Sequence, residues 1–233
     1  LFLFLIMVTV ADVFHTAAML LALMHGIMFA FFSSQFISEF KIPEDEAKSA
    51  NGELFIVLST FVGARELYMF AIGVIAWSQG GTARKLYFQA VALLNVLALA
   101  PAFLNDLPYS KQWLDGDVSG VYNNLVIAVV FAVGGVVLSR GVEETDDVKQ
   151  DAGALATNAQ RLALLVNVVF GAYTMIAPAH ALAQSGIHTP QGVVVSVDAA
   201  LFLVRVGSIY MLVDAFYRWQ ALQRGLQTQA SAL

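Results

Sequence analysis

Cysteine is absent from the 233-residue chain, so disulfides, thiolate metal sites, iron–sulfur clusters and cysteine nucleophiles are excluded. The absence leaves the redox state of the compartment open. Charge is scarce as well: Asp, Glu, Lys and Arg make up 12% of residues, against roughly 25% in soluble domains. Basic residues are scattered singly or as the pair Arg84 and Lys85, and the formal net charge is −5. Nucleic acid is thereby excluded as a partner, since it requires a clustered basic patch. The sequence contains no nucleotide-binding glycine loop, and no serine triad can be drawn from it. The longest polar connection, 141–158, is too short to fold into a catalytic domain.

What is abundant is apolar surface. Hydrophobic residues reach 59%, mean hydropathy is +0.73, and 17 phenylalanines are present. This is the composition of a polytopic membrane protein. A bilayer core of about 30 Å requires about 20 mostly apolar helical residues per crossing, and six runs meet that length: 12–37 (or from residue 1), 54–77, 85–104, 121–138, 162–182 and 193–219. A closed barrel would need shorter segments of alternating polarity. The runs are continuous, so the expected fold is an all-α transmembrane bundle of about six spans, a single integral membrane domain over 1–233. Because the chain starts at Leu1 and not at Met, residues 1–10 read as the tail of a targeting segment or as an extension of the first span.

Lys and Arg set the expected orientation. The first, third and fifth connections hold Lys41, Lys48 and Lys111, whereas the opposite side holds Arg84, Lys85, Arg140, Lys149, Arg161, Arg218 and Arg224. Both termini are expected on the positive side, cytoplasmic, stromal or matrix. Trp77 and Trp219 fall there too, where indole rings anchor at headgroup level.

Sliding the chain on itself by 142 residues superposes Val62, Tyr68, Met69 and Trp77 on Val204, Tyr210, Met211 and Trp219. Four spans separate the two segments, so the repeat is parallel and not inverted. One unit covers about 9–140, and a partial second covers about 159–222. Phe170-Gly171, Ile176-Ala177-Pro178 and Gly186-Ile187 resemble the first helix of the small DoxX-like four-helix membrane proteins. Gly63-Ala64-Arg65-Glu66-Leu67 is similar to the Gly-x-Arg-acid-Leu element of their second helix. The second unit departs from that pattern: Gly207 stands at the place of Arg65, and Arg205 comes two positions earlier without an adjacent acid. The resemblance implies a membrane-helical fold and no activity.

Ionised side chains inside a bilayer cost a few kcal/mol or more unless partnered, and each is by default a functional candidate. The candidates are Asp12, Arg65, Glu66, Asp198, Arg205 and Asp214. Adjacent residues diverge by about 100° around a helix, so Arg65 and Glu66 each need a partner on another span. Arg65 is expected to point into the bundle and meet an acid or a helix-end carbonyl. Three readings stay open for the set: inter-helix ion pairs, a proton or ion pathway, and a pocket for an anionic group.

His15, His25 and His180 are candidate axial ligands for a tetrapyrrole such as chlorophyll or haem, while His188 lies in a polar connection. Asp12 and His15 share a helical face, an arrangement in which a carboxylate orients a metal-binding imidazole. Gly26 beside His25 is read as room for a flat macrocycle. No pair has the spacing of a zinc or di-iron site, and each histidine has the plainer reading of a hydrogen-bonded core residue. The phenylalanines suit lipid, carotenoid or neighbouring subunits. Together these features point to a non-catalytic subunit or scaffold of an energy-transducing membrane complex, the thylakoid included, with lipids and other membrane subunits as partners. The alternatives are a small transporter or channel using Arg65, Glu66 and Arg205, and a membrane enzyme or quinone-binding protein.

Overall fold

In lipid every backbone N–H and C=O must be paired within the segment, which long apolar runs achieve as helices. The computed structural model describes residues 9–35, 42–99, 119–143, 153–184 and 195–223, and among them every long regular element is a helix. In chain order these are α1 (Val10–Phe31), α2 (Glu44–Ala47), α3 (Ala50–Gln79), α4 (Gly81–Ala98), α5 (Ser119–Gly141), α6 (Gly153–Ile176), α7 (Pro178–Gln184) and α8 (Val195–Gln223). Among the described residues, four segments are long and apolar enough to cross a membrane: Val10–Phe31, Gly52–Gln79, Thr157–Ile176 and Ala199–Gln223. The third and fourth expected spans, 85–104 and 121–138, run partly outside the described residues. Gly81–Ala98 carries Thr82, Arg84 and Lys85 in its opening turn, and the described apolar part of α5 is Leu125–Gly141.

Three further expectations are corrected. The connection expected at 79–82 is the single residue Gly80, whose φ of 67° lies in the left-handed region that glycine enters at little cost. The first connection contains α2, and α3 starts at Ala50 instead of residue 54. The fifth run is not one helix. Pro178 has no N–H to continue the ladder, so α6 stops at Ile176 and α7 restarts at the proline, a residue preorganised for a first helical position. Residues 1–8, 100–118 and 185–194, with His188 and the third and fifth connections, lie outside the described residues.

Helix directions follow from which residues meet. His15 of α1 touches Gly73 and Trp77 of α3, whereas Phe29 touches Ser59, so α1 and α3 are antiparallel. Gln160 and Thr174 of α6 meet Arg218 and Ser208 of α8, again antiparallel. Phe61, Glu66 and Tyr68 of α3 meet Gly207, Tyr210 and Asp214 of α8 in the same order, so these two helices are parallel. The core lies where α3, α4 and α8 converge, on Ile72 and Val62, on Leu86 and Phe88, and on Leu203 and Val213. Around it α1, α5 and α6 expose apolar side chains outward, for example Leu20, Val130 and Leu162. A soluble monomer rarely exposes so continuous an apolar surface.

Candidate functional site

Polar residues that cannot face lipid turn inward, and here they gather in three groups along α3. The first lies at the start of α1. Thr9 and Asp12 form a capping box, and the other Asp12 oxygen accepts from Arg84 Nη2 at 2.5 Å. The guanidinium of Arg84 also lies over the rings of Trp77 and Phe88, with centroid distances of 5.1 and 5.5 Å. His15 is fully buried next to them, stacked on Tyr87 at 4.6 Å and edge-on to Trp77. Its Nε2 donates to the Gly73 carbonyl at 2.9 Å. A carbonyl only accepts, so Nε2 carries the proton and the buried Nδ1 keeps a lone pair without a hydrogen-bond partner among the described residues. The expected Asp12 and His15 couple does not form, because Asp12 spends its oxygens on the Thr9 cap and on Arg84.

The second group is at mid-span, where Glu66 is 9% exposed. Tyr210 of α8 donates its hydroxyl to Glu66 Oε1, and His25 Nδ1 of α1 stands 3.8 Å from the same oxygen. Two glycines bring α1 this close. A Cβ on Gly26 would lie 2.7 Å from the Leu67 side chain, and one on Gly63 would lie 2.3 Å from the Ala30 backbone nitrogen. The space beside Gly26, read from sequence as room for a macrocycle, is filled by Leu67. The gap serves helix packing.

The third group joins three helices at Asp214, which is 2% exposed. One oxygen accepts from Tyr68 of α3 at 2.6 Å; the other accepts from Asn167 of α6 at 2.5 Å and from Arg218 Nε, one turn along α8, at 2.7 Å. Arg218 reaches on to Gln160 of α6 and, at 3.4 Å, to the Tyr68 hydroxyl. Each member therefore has a partner, the condition under which a buried charge is tolerated.

The remaining candidates fare differently. Arg65 contradicts the expectation of an acid or carbonyl on another span: among the described residues its contact is with Phe61, one turn back on its own helix, at 5.1 Å. Phe61 is in turn packed against Gly207 of α8. The aromatic face takes the guanidinium, which replaces part of the lost hydration without an ion pair. Arg205 lies half-buried on α8, and Asp198 lies in the first turns of α8 with its side chain outside the described residues. His180 sits on α7 past the proline break, exposed, with Nδ1 2.8 Å from the Tyr173 hydroxyl, whose own proton goes to Gln184 Oε1 at 3.0 Å. In that arrangement Nδ1 donates, and Nε2 presents a bare lone pair.

Sequence reasoning missed Arg84, Tyr68, Tyr210 and Gln160 as site members, and used Arg218 only for orientation. The i, i+4 spacing of Asp214 and Arg218 was the available clue. Comparison of the chain with models of known protein families, with curated proteins and with solved structures returned no match.

Proposed function

We propose that the chain is a non-catalytic integral membrane subunit or scaffold, seated through its outer helices against lipid and neighbouring membrane subunits of a larger complex. The observation that carries this reading is the enclosure of Asp214. A carboxylate that already accepts from Tyr68, Asn167 and Arg218 ties α3, α6 and α8 together, and at 2% exposure it is closed off from a substrate. The exposed apolar side chains of α1, α5 and α6 supply the complementary feature, a perimeter suited to lipid or to other helices. The test is native electrophoresis of the full chain extracted from its own membrane in a mild detergent. Migration within a high-mass assembly is the expected result, and migration as a lone chain overturns the reading.

A second reading, binding of a tetrapyrrole, is favoured by one observation. His180 is exposed, held at Nδ1 by Tyr173, and free to offer Nε2 to magnesium or iron, the arrangement in which an outer hydrogen bond orients an axial ligand. His15 is fully buried, stacked on Tyr87 with Trp77 and Phe88 set edgewise around it, and the space beside His25 is taken by Leu67, so His180 is the ligand this reading selects.

A further inference from the structure

Glu66 stands at the middle of the Gly52–Gln79 span, and its circumstances differ from those of the other two buried acids. Asp12 has Arg84 and Asp214 has Arg218, each a permanent cation. Glu66 has neither. Its one described hydrogen bond comes from the neutral hydroxyl of Tyr210, and among the described residues the one group within ion-pair distance that can carry positive charge is His25. Arg65, next to it in sequence, turns away onto Phe61. From α4 the titratable group that interacts with it electrostatically is Tyr87, and α2, which also packs on α3, presents none to it among the described residues.

A carboxylate with a single neutral donor is poorly supported at this depth, and in such places the group takes up a proton or a charged partner instead of standing alone. Imidazole is the side chain that gains and loses protons in the neutral range. We propose that His25, Glu66 and Tyr210 form an intramembrane proton-binding site that holds one exchangeable proton between the imidazole and the carboxyl group. The proton rests either on His25 Nδ1, giving imidazolium opposite carboxylate, or on the Glu66 carboxyl, giving neutral imidazole opposite carboxylic acid. Both forms carry no net charge, and the proton moves between them without a co-reactant. The His25 side chain is 45% exposed and that of Glu66 11%, so the acid is the more enclosed member of the pair and the imidazole the more accessible one. Tyr210 fixes the carboxyl group in place for both forms. The site is separate from Asp214, whose network is closed, and it stands whether or not the chain belongs to a larger assembly.

Infrared difference spectroscopy of the full chain in liposomes, stepped in pH and repeated in deuterated buffer, reads this site directly. The expected result is a deuterium-sensitive carboxylic-acid C=O band that appears on acidification and is lost in E66Q. In H25Q its titration midpoint moves by about one pH unit or more, the size of effect a neighbouring charge has on a carboxyl group. In Y210F the band changes frequency, because the hydroxyl that donates to the group is gone. A band that persists in E66Q belongs to another acid and overturns the proposal, as does a midpoint unchanged in H25Q. Should E66Q not fold, H25Q and Y210F decide the matter alone, since neither removes the acid.

Discussion

Tyr68 on α3 donates its hydroxyl to Asp214 on α8, and Tyr210, which lies 142 positions further along the chain, donates back from α8 to Glu66 on α3. The two bonds cross one helix interface in opposite directions. They convert two apolar faces that would pack in several registers into a pair with one register, because sliding by a turn would strand both acids. Cross-helix polar pairs of this kind are a means by which membrane helices choose their partners where apolar contact alone does not discriminate.

Loss of Asp214 is expected to be the most damaging of the buried substitutions. D214A leaves Arg218, Tyr68 and Asn167 without their shared acceptor, an uncompensated buried cation worth about 3–5 kcal/mol of stability. D214N retains an acceptor oxygen for Tyr68 and should lose less. Unfolding of the purified chain in graded denaturing detergent checks the ranking; equal loss in both variants would mean the network is not closed in the way described.

Asp12 and Arg84 should be energetically coupled. Both side chains are about a fifth exposed, at 22% and 20%, so their pair is less screened than a surface bridge and a double-mutant cycle of D12A and R84A should return about 1 kcal/mol or more. Additive effects would assign Arg84 to its aromatic contacts with Trp77 and Phe88 instead.

Gly63 and Gly141 make a matched comparison of close packing. A methyl on Gly63 would meet the backbone of Ala30, whereas one on Gly141 meets nothing within 4 Å. G63A is therefore expected to lower the melting temperature, through strain of about 1–3 kcal/mol, and to raise protease sensitivity of α1. G141A should be neutral in both measurements. A neutral G63A would remove the glycine contact as the reason α1 sits so near α3.

The absence of cysteine makes orientation simple to test. Single cysteines introduced as Q79C and S231C should react with an impermeant maleimide from the same side of sealed vesicles, and E46C from the other. Labelling of Q79C and S231C from opposite sides would refute the arrangement with both termini on one face.

For pigments, the expected outcome concerns His180. If the purified chain shows tetrapyrrole absorption, H180L should reduce or shift it, while H15L leaves the spectrum in place. The reverse pattern would mean that the rings around His15 part to admit a macrocycle.

Much of this architecture was legible in the chain. The apolar runs announce helices of membrane-spanning length because the spacing of charge along a sequence is local information. The break at Pro178 was visible as a residue but not as a consequence, since the run around it is apolar throughout. Arg84 illustrates what could not be read. From sequence it is a loop charge that orients the protein. In the fold the turn at Gly80 swings α4 back along α3, and the same guanidinium becomes the partner of Asp12, which is 72 positions away.

By itself the sequence determined that the chain is helical, that it holds apolar runs of membrane-crossing length, read as six where the described residues show four such helices, and that Asp12, Glu66 and Asp214 would have to find support within the bundle. Each of these follows from the free energy of moving one side chain or one backbone group out of water, a property of the residue and its immediate neighbours. Which support each acid found was decided by the tertiary structure. Glu66 meets a tyrosine and a histidine, whereas Asp214 meets an arginine, because hydrogen bonds act over about 3 Å, and only the packing of α1 and α8 on α3, and of α6 on α8, sets which residues come that close.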